Sequence, residues 1–167
     1  MSTEVSERSF APVTLGHLSR LADLARTDCE ERFARKPRWE VYRDRVLLVA
    51  LCQGAARHYL DGRHGVKDLD VWTFYARHPA GDFPPRWRLV ADFGPSQLGR
   101  HPDDAGFLGR HVDLIGRSLD SPLNADPIEE VRRYLRAGRT SSAQALAAKA
   151  VIAIDPPEFR GATVWPA

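Results

Sequence analysis

The chain has 167 residues, 43% of them hydrophobic, and a formal net charge of +2. That length suits one domain, and that apolar content supplies an ordinary core and excludes wholesale disorder. The charge is too small to argue for nucleic-acid binding by itself.

No apolar run approaches the roughly 18 residues of a membrane span, and the polar start MSTEVSERSF has no signal-peptide core. A cytoplasmic protein with no membrane contact is therefore expected. Cys29 and Cys52 have neither metal nor redox spacing, which agrees with reduced thiols. Arginine far outnumbers lysine, as in a genome with biased codons, so arginine clusters carry less information than usual.

Residues 1–12 read as a frayed terminus, and 13–167 as a single domain with helical extensions at both ends. Leu15, Leu18, Leu21 and Ala25 recur at helical spacing and predict an amphipathic helix over about 14–35, followed by Pro37. RVLLVALC (45–52) suits a strand buried on both faces. AARHYLDG follows as a short helix closed by Gly62. VKDLDVWTFYA (66–76), rich in valine and aromatics, is a second strand.

HPAGDFPPR is a turn, and 86–93 a third strand. GPSQLGRHPDDAGFLG is a long loop of the kind that is often functional. A fourth strand covers 110–119. Asp126, Pro127 and Glu129 start a helix that Gly138 stops. SSAQALAAKAVI is a second helix running into VIAI, and GATVW an edge strand. The fold class expected is α+β, a short mixed sheet with flanking helices.

The second strand raises the functional question. Alternation puts Val66, Asp68, Asp70, Trp72 and Phe74 on one face. Two carboxylates, with Cα atoms roughly 6.6 Å apart, thus sit on an otherwise apolar face. They repel one another and lose hydration there, and a hard divalent cation relieves both costs. The plainer reading is a strand end with two solvated aspartates. Gly54-Ala55 lies between an apolar strand and a helix, where backbone amides can hold a phosphate. Asp113, between Val112 and Leu114, offers a third carboxylate, with Asp92 in LVADF as its rival.

In this order (apolar strand, Gly54-Ala55, helix, Asp68-Leu69-Asp70, later Asp113) the chain resembles the nucleotidyltransferase superfamily with the DNA polymerase beta-like fold. The resemblance covers about residues 45–116. It implies a bacterial Mg²⁺-dependent transferase, with Asp68, Asp70 and Asp113 as catalytic metal ligands for two Mg²⁺ or Mn²⁺ ions. Gly54, Ala55, Arg57 and Lys149 would then serve the nucleotide, such as ATP. Ala55 stands where the family has serine, Lys67 precedes the D-x-D motif, and Arg57 lies near the usual arginine rather than on it.

The implied reaction moves a nucleoside monophosphate from a nucleoside triphosphate to an acceptor hydroxyl on a small molecule, a protein or RNA. A catalytically silent nucleotide- or protein-binding module of the same fold, as in toxin–antitoxin pairs, is the alternative. A two-metal nuclease is a third reading, but the acid-x-lysine arrangement of one large nuclease class is missing. Lys149 ends an alanine-rich segment and is also readable as a solvated lysine. Arg132, Arg133 and Arg136 read as the wet face of their helix, paired with Glu129 and Glu130. The six histidines show no ligand spacing, and Trp72, Phe74 and Tyr75 read as core.

Overall fold

The computed structural model describes residues 11–63, 65–81 and 87–167, with Trp87 described only in its backbone. Most of the expected frayed terminus and of the Pro84-Pro85 turn lies outside the described residues. Ala11 is already anchored, its carbonyl accepting from His58 Nε2 at 2.8 Å.

The protein is mixed α/β. Its strands are β1 (Val46–Cys52), β2 (Leu69–Ala76), β3 (Trp87–Asp92), β4 (His111–Leu119), β5 (Val151–Asp155) and β6 (Thr163–Trp165). They form one sheet in the order β3-β4-β2-β1-β5-β6. β2 and β4 are parallel, and the other neighbours are antiparallel. The helices are α1 (Leu15–Arg35), α2 (Gln53–Asp61), α3 (Pro127–Ala137) and α4 (Ser141–Ala147). No helix among the described residues is long and apolar enough to cross a membrane.

The sheet is covered on both faces. Leu18, Leu21, Ala22 and Ala25 of α1 and Ala55 and Ala56 of α2 pack with Val49, Leu51, Val71, Leu114 and Ile152. Val131 and Leu135 of α3 and Leu146 of α4 pack on the other face with Leu48, Ala50, Phe74 and Ala153. Two buried faces explain why β1 reads as a continuous apolar run rather than an alternating one.

Local chemistry sets the helix ends. Thr14 Oγ1 accepts from the His17 amide, and the Thr14 amide donates to His17 Nδ1, closing a capping box on α1. Gly62 ends α2 in the left-handed conformation, at φ 65°. The Asp126 carboxylate caps α3 by accepting from the amides of Ile128 and Glu129. Arg132 pairs with Glu129 and Arg133 with Glu130, and Arg132 also donates to the carbonyls of Thr163 and Val164, tying α3 to β6.

Three boundaries differ from expectation. α2 starts at Gln53, so Gly54 and Ala55 belong to its first turn rather than to a separate turn before it. β2 starts at Leu69 rather than Val66, so Asp68 precedes the ladder. α4 stops at Ala147, three residues short of β5. Lys149 therefore belongs to the connection rather than to the helix.

Candidate functional site

The register gathers the site at one end of the sheet. Cys52, the last residue of β1, pairs with Asp70 at the start of β2, because the two strands are antiparallel. Asp70 in turn pairs with Asp113 at the start of β4, because those strands run in parallel. Cys52 also pairs with Val151, the first residue of β5. The N-terminus of α2, the D-x-D motif, Asp113 and the α4–β5 connection therefore meet at the same edge. Asp70 and Asp113 occupy the α3/α4 face of the sheet, the side of Trp72 and Ile115.

Apart from burial, the Asp113 carboxyl is the group that acts most strongly on Asp70. Burial, then the Asp113 and Asp68 charges, push the Asp70 carboxyl up to about 7, against the pull of Arg88. Asp113 behaves in the opposite way. Burial acts to raise it, but the hydrogen bonds and charges of His111 and Arg88 outweigh burial and hold it below the usual carboxylate range. Asp113 Oδ1 accepts from Arg88 Nε at 2.9 Å and from His111 Nε2 at 3.0 Å, and Arg88 Nη2 lies 2.8 Å away. Asp113 is 3% exposed, whereas the Arg88 side chain is 61% exposed.

In front of the D-x-D motif lies a cleft of about 440 Å³. Asp68, Asp70 and Lys149 line it together with Gly54 and Trp72. Asp113 is not among its lining residues, since it sits behind Asp70 under the Arg88 guanidinium. A Cβ built on Gly54 would meet nothing within 4 Å, so the backbone of the first turn of α2 faces open space. Gln53 opens that turn at φ 62°, a left-handed conformation that a non-glycine residue rarely adopts. Such strain is concentrated at functional sites.

Two of the expected nucleotide residues do not point into the cleft in the expected way. Ala55 borders it, but its methyl is buried in the core under α1. Arg57 donates to the Ala148 carbonyl at 3.3 Å and does not line the cleft. It braces the connection that carries Lys149.

Asp92, the rival carboxylate, has a structural task. Its oxygens accept from the amides of Gly94, Leu108 and Gly109 and clamp both ends of the 94–109 loop. Gly109 has to be glycine there, because a Cβ would lie 1.8 Å from the Gly94 carbonyl oxygen.

Sequence reasoning missed Arg88, Asp104 and His111. Asp68, Asp104 and His111 each bring one donor atom to within 4.8 Å of the others. Only one signal could have found His111: it stands two residues before Asp113 on the same strand, hence on the same face. Asp104 comes from the long loop and Arg88 from β3, and no local pattern marks either.

Comparison of the chain with protein-family models, curated proteins and solved structures finds no match.

Proposed function

We propose that the protein is a cytoplasmic nucleotidyltransferase of the DNA polymerase beta-like fold, dependent on a divalent metal and acting on a nucleoside triphosphate. The observation that carries this reading is the β2–β4 register that sets Asp70 opposite Asp113, with Asp68 beside them and the first turn of α2 across the cleft.

The donor set fits a hard cation. Asp68 and Asp70 offer carboxylate oxygens to the cleft, and the upward push on the Asp70 carboxyl marks a concentration of negative charge in need of a counter-ion. Bound Mg²⁺ would activate the acceptor hydroxyl and neutralise the triphosphate. The chain's own residues supply the rest. The exposed backbone at Gly54 lets phosphate approach the N-terminus of α2. Lys149 adds a point charge to the cleft. Trp72 gives the cleft an apolar surface. Arg88 and His111 hold the charge of Asp113, and Arg88, being exposed, is free to swing toward solvent when a cation approaches. A small molecule, a protein or RNA would serve as acceptor.

A catalytically silent nucleotide-binding module is the second reading. It is favoured by the engagement of the Asp113 carboxylate with Arg88 and His111 and by Ala55 in the place of a serine. Calorimetry with ATP, GTP, CTP and UTP, in Mg²⁺ and in chelator, combined with transfer of radiolabel from each nucleotide to cellular extracts, separates the two. Metal-dependent binding with transfer supports the enzyme. Binding without transfer leaves the module, and equal binding in chelator removes the metal site from both.

A further inference from the structure

The cluster of Asp68, Asp104 and His111 differs in chemistry from the D-x-D pair, because it contains an imidazole. Several features prepare it for an ion. The His111 Nε2–H donates to the Asp113 carboxylate, which can only accept, so in the neutral imidazole Nδ1 is the nitrogen left to offer a lone pair. Nδ1 lies 3.8 Å from Asp104 Oδ1. A histidine whose second ring nitrogen is fixed by a carboxylate is the common arrangement behind a metal ligand. Phe107 stacks on the imidazole, with centroids 5.3 Å apart and planes at 23°, and fixes the ring plane.

Two polar atoms point independently to a ligand. Asp104 Oδ2 and Arg110 Nη1 are both buried without a hydrogen-bond partner among the described residues. Arg110 is only 4% exposed. Its Nε is used by the Leu98 carbonyl at 2.9 Å, and the charges that act on its guanidinium are those of Asp104 and Asp68. A buried carboxylate oxygen lacks a donor, and a buried N–H under the influence of the same carboxylate lacks an acceptor. A cation with an oxygen ligand answers both: the cation takes the carboxylate, and its oxygen ligand takes the N–H.

We propose that Asp68, Asp104 and His111 form a binding site for a first-row divalent transition ion, with Arg110 holding an oxygen ligand of that ion. Two carboxylates and one imidazole favour Mn²⁺, Co²⁺ or Zn²⁺ over Mg²⁺, which seeks oxygen ligands alone. Bonds of about 2.1 Å set the ligands of a four-coordinate ion roughly 3.4 Å apart, so small side-chain rotations close the present cluster around it. The loop that carries Asp104 is held for this purpose at its base by Asp92 and within it by the Leu98–Arg110 contact. The site shares Asp68 with the proposed nucleotide cleft but does not depend on nucleotidyl transfer.

The test uses the full chain stripped with chelator and loaded with one equivalent of Mn²⁺ or Co²⁺. Pulsed EPR of the Mn²⁺ form is expected to show ¹⁴N coupling from one imidazole, and the Co²⁺ form a visible d–d spectrum. Asp104→Asn, which keeps the side-chain shape, and His111→Ala should each weaken binding about tenfold or more. Asp103→Asn, an exposed neighbour outside the cluster, should leave Co²⁺ affinity near that of wild type. Wild-type Mn²⁺ without nitrogen coupling overturns the proposal, and it does so even if His111→Ala fails to fold. Unchanged Co²⁺ binding in a folded Asp104→Asn also overturns it. Loss of the ion in Asp70→Asn alone would assign it to the D-x-D pair instead, which supports the nucleotide reading and not this one.

Discussion

Asp70 and Asp113 face each other across the parallel β2–β4 ladder, and their carboxyls are driven in opposite directions. Asp113 keeps its charge because Arg88 and His111 donate to it. Asp70, half-buried beside that fixed charge, is pushed up to about 7.

The sign of the resulting pH dependence follows from linkage. The folded state binds the Asp70 proton more tightly than the unfolded chain, whose value is near 3.8. The stabilising contribution is complete below that value and is lost as pH rises through about 7. In chelator, thermal stability should therefore fall between these limits, by at most about 1.4 kcal/mol per pH unit. Asp113, shifted down, acts in the opposite sense and only below 3.8. Saturating Mg²⁺ should flatten the slope if it binds at Asp70. Chemical denaturation at a series of pH values, with and without Mg²⁺, measures both effects.

Asp70→Asn removes the charge and keeps the shape. Above pH 7 the metal-free variant should be more stable than wild type by about 1–3 kcal/mol, because the repulsion by Asp113 and Asp68 is gone. In the proposed enzyme the same change abolishes label transfer. A variant that melts well below wild type would instead mark Asp70 as a core hydrogen-bonding group.

Arg88→Ala withdraws two N–H groups from a buried carboxylate. The expected cost is about 1–3 kcal/mol in chelator. Where a cation can take the place of the guanidinium beside Asp113, Mg²⁺ or Mn²⁺ should recover more stability in this variant than it adds to wild type. Melting curves of both proteins with and without metal compare the two gains.

Gly54→Ala puts a methyl into open space on a helix. The fold should tolerate it, with a gain of up to about 1 kcal/mol from helix propensity. Nucleotide affinity should still drop, because the added Cβ stands where phosphate must approach the backbone. Calorimetry with ATP and Mg²⁺, set beside the melting temperature, checks both directions at once.

Lys149→Ala and Arg57→Ala should separate two residues that the sequence grouped together. Lys149 lines the cleft, so its loss should weaken nucleotide binding about tenfold while leaving stability unchanged. Arg57 braces the Ala148 carbonyl from outside the cleft, so its loss should affect binding only slightly.

Local patterns were enough for the elements of this protein. The Leu18, Leu21 and Ala25 spacing, the Asp126 cap, the stop at Gly62 and the apolar run of β1 each depend on neighbours within a few residues, and each is legible in the order of the chain. The D-x-D motif was legible for the same reason, since charges on an apolar face contradict their surroundings. What the sequence left open was pairing between strands. Only the ladder register sets Asp113 opposite Asp70, and only β3 on the far side of β4 brings Arg88 onto that carboxylate. Asp104 and His111 meet Asp68 because Asp92 pins the long loop back onto the strand ends. Arg57 and Lys149, alike in charge on paper, part at the edge of the cleft because one turns to a carbonyl and the other lines the opening. Each of these contacts joins residues distant in sequence, and a one-residue slip in register would turn a carboxylate to the opposite face of the sheet.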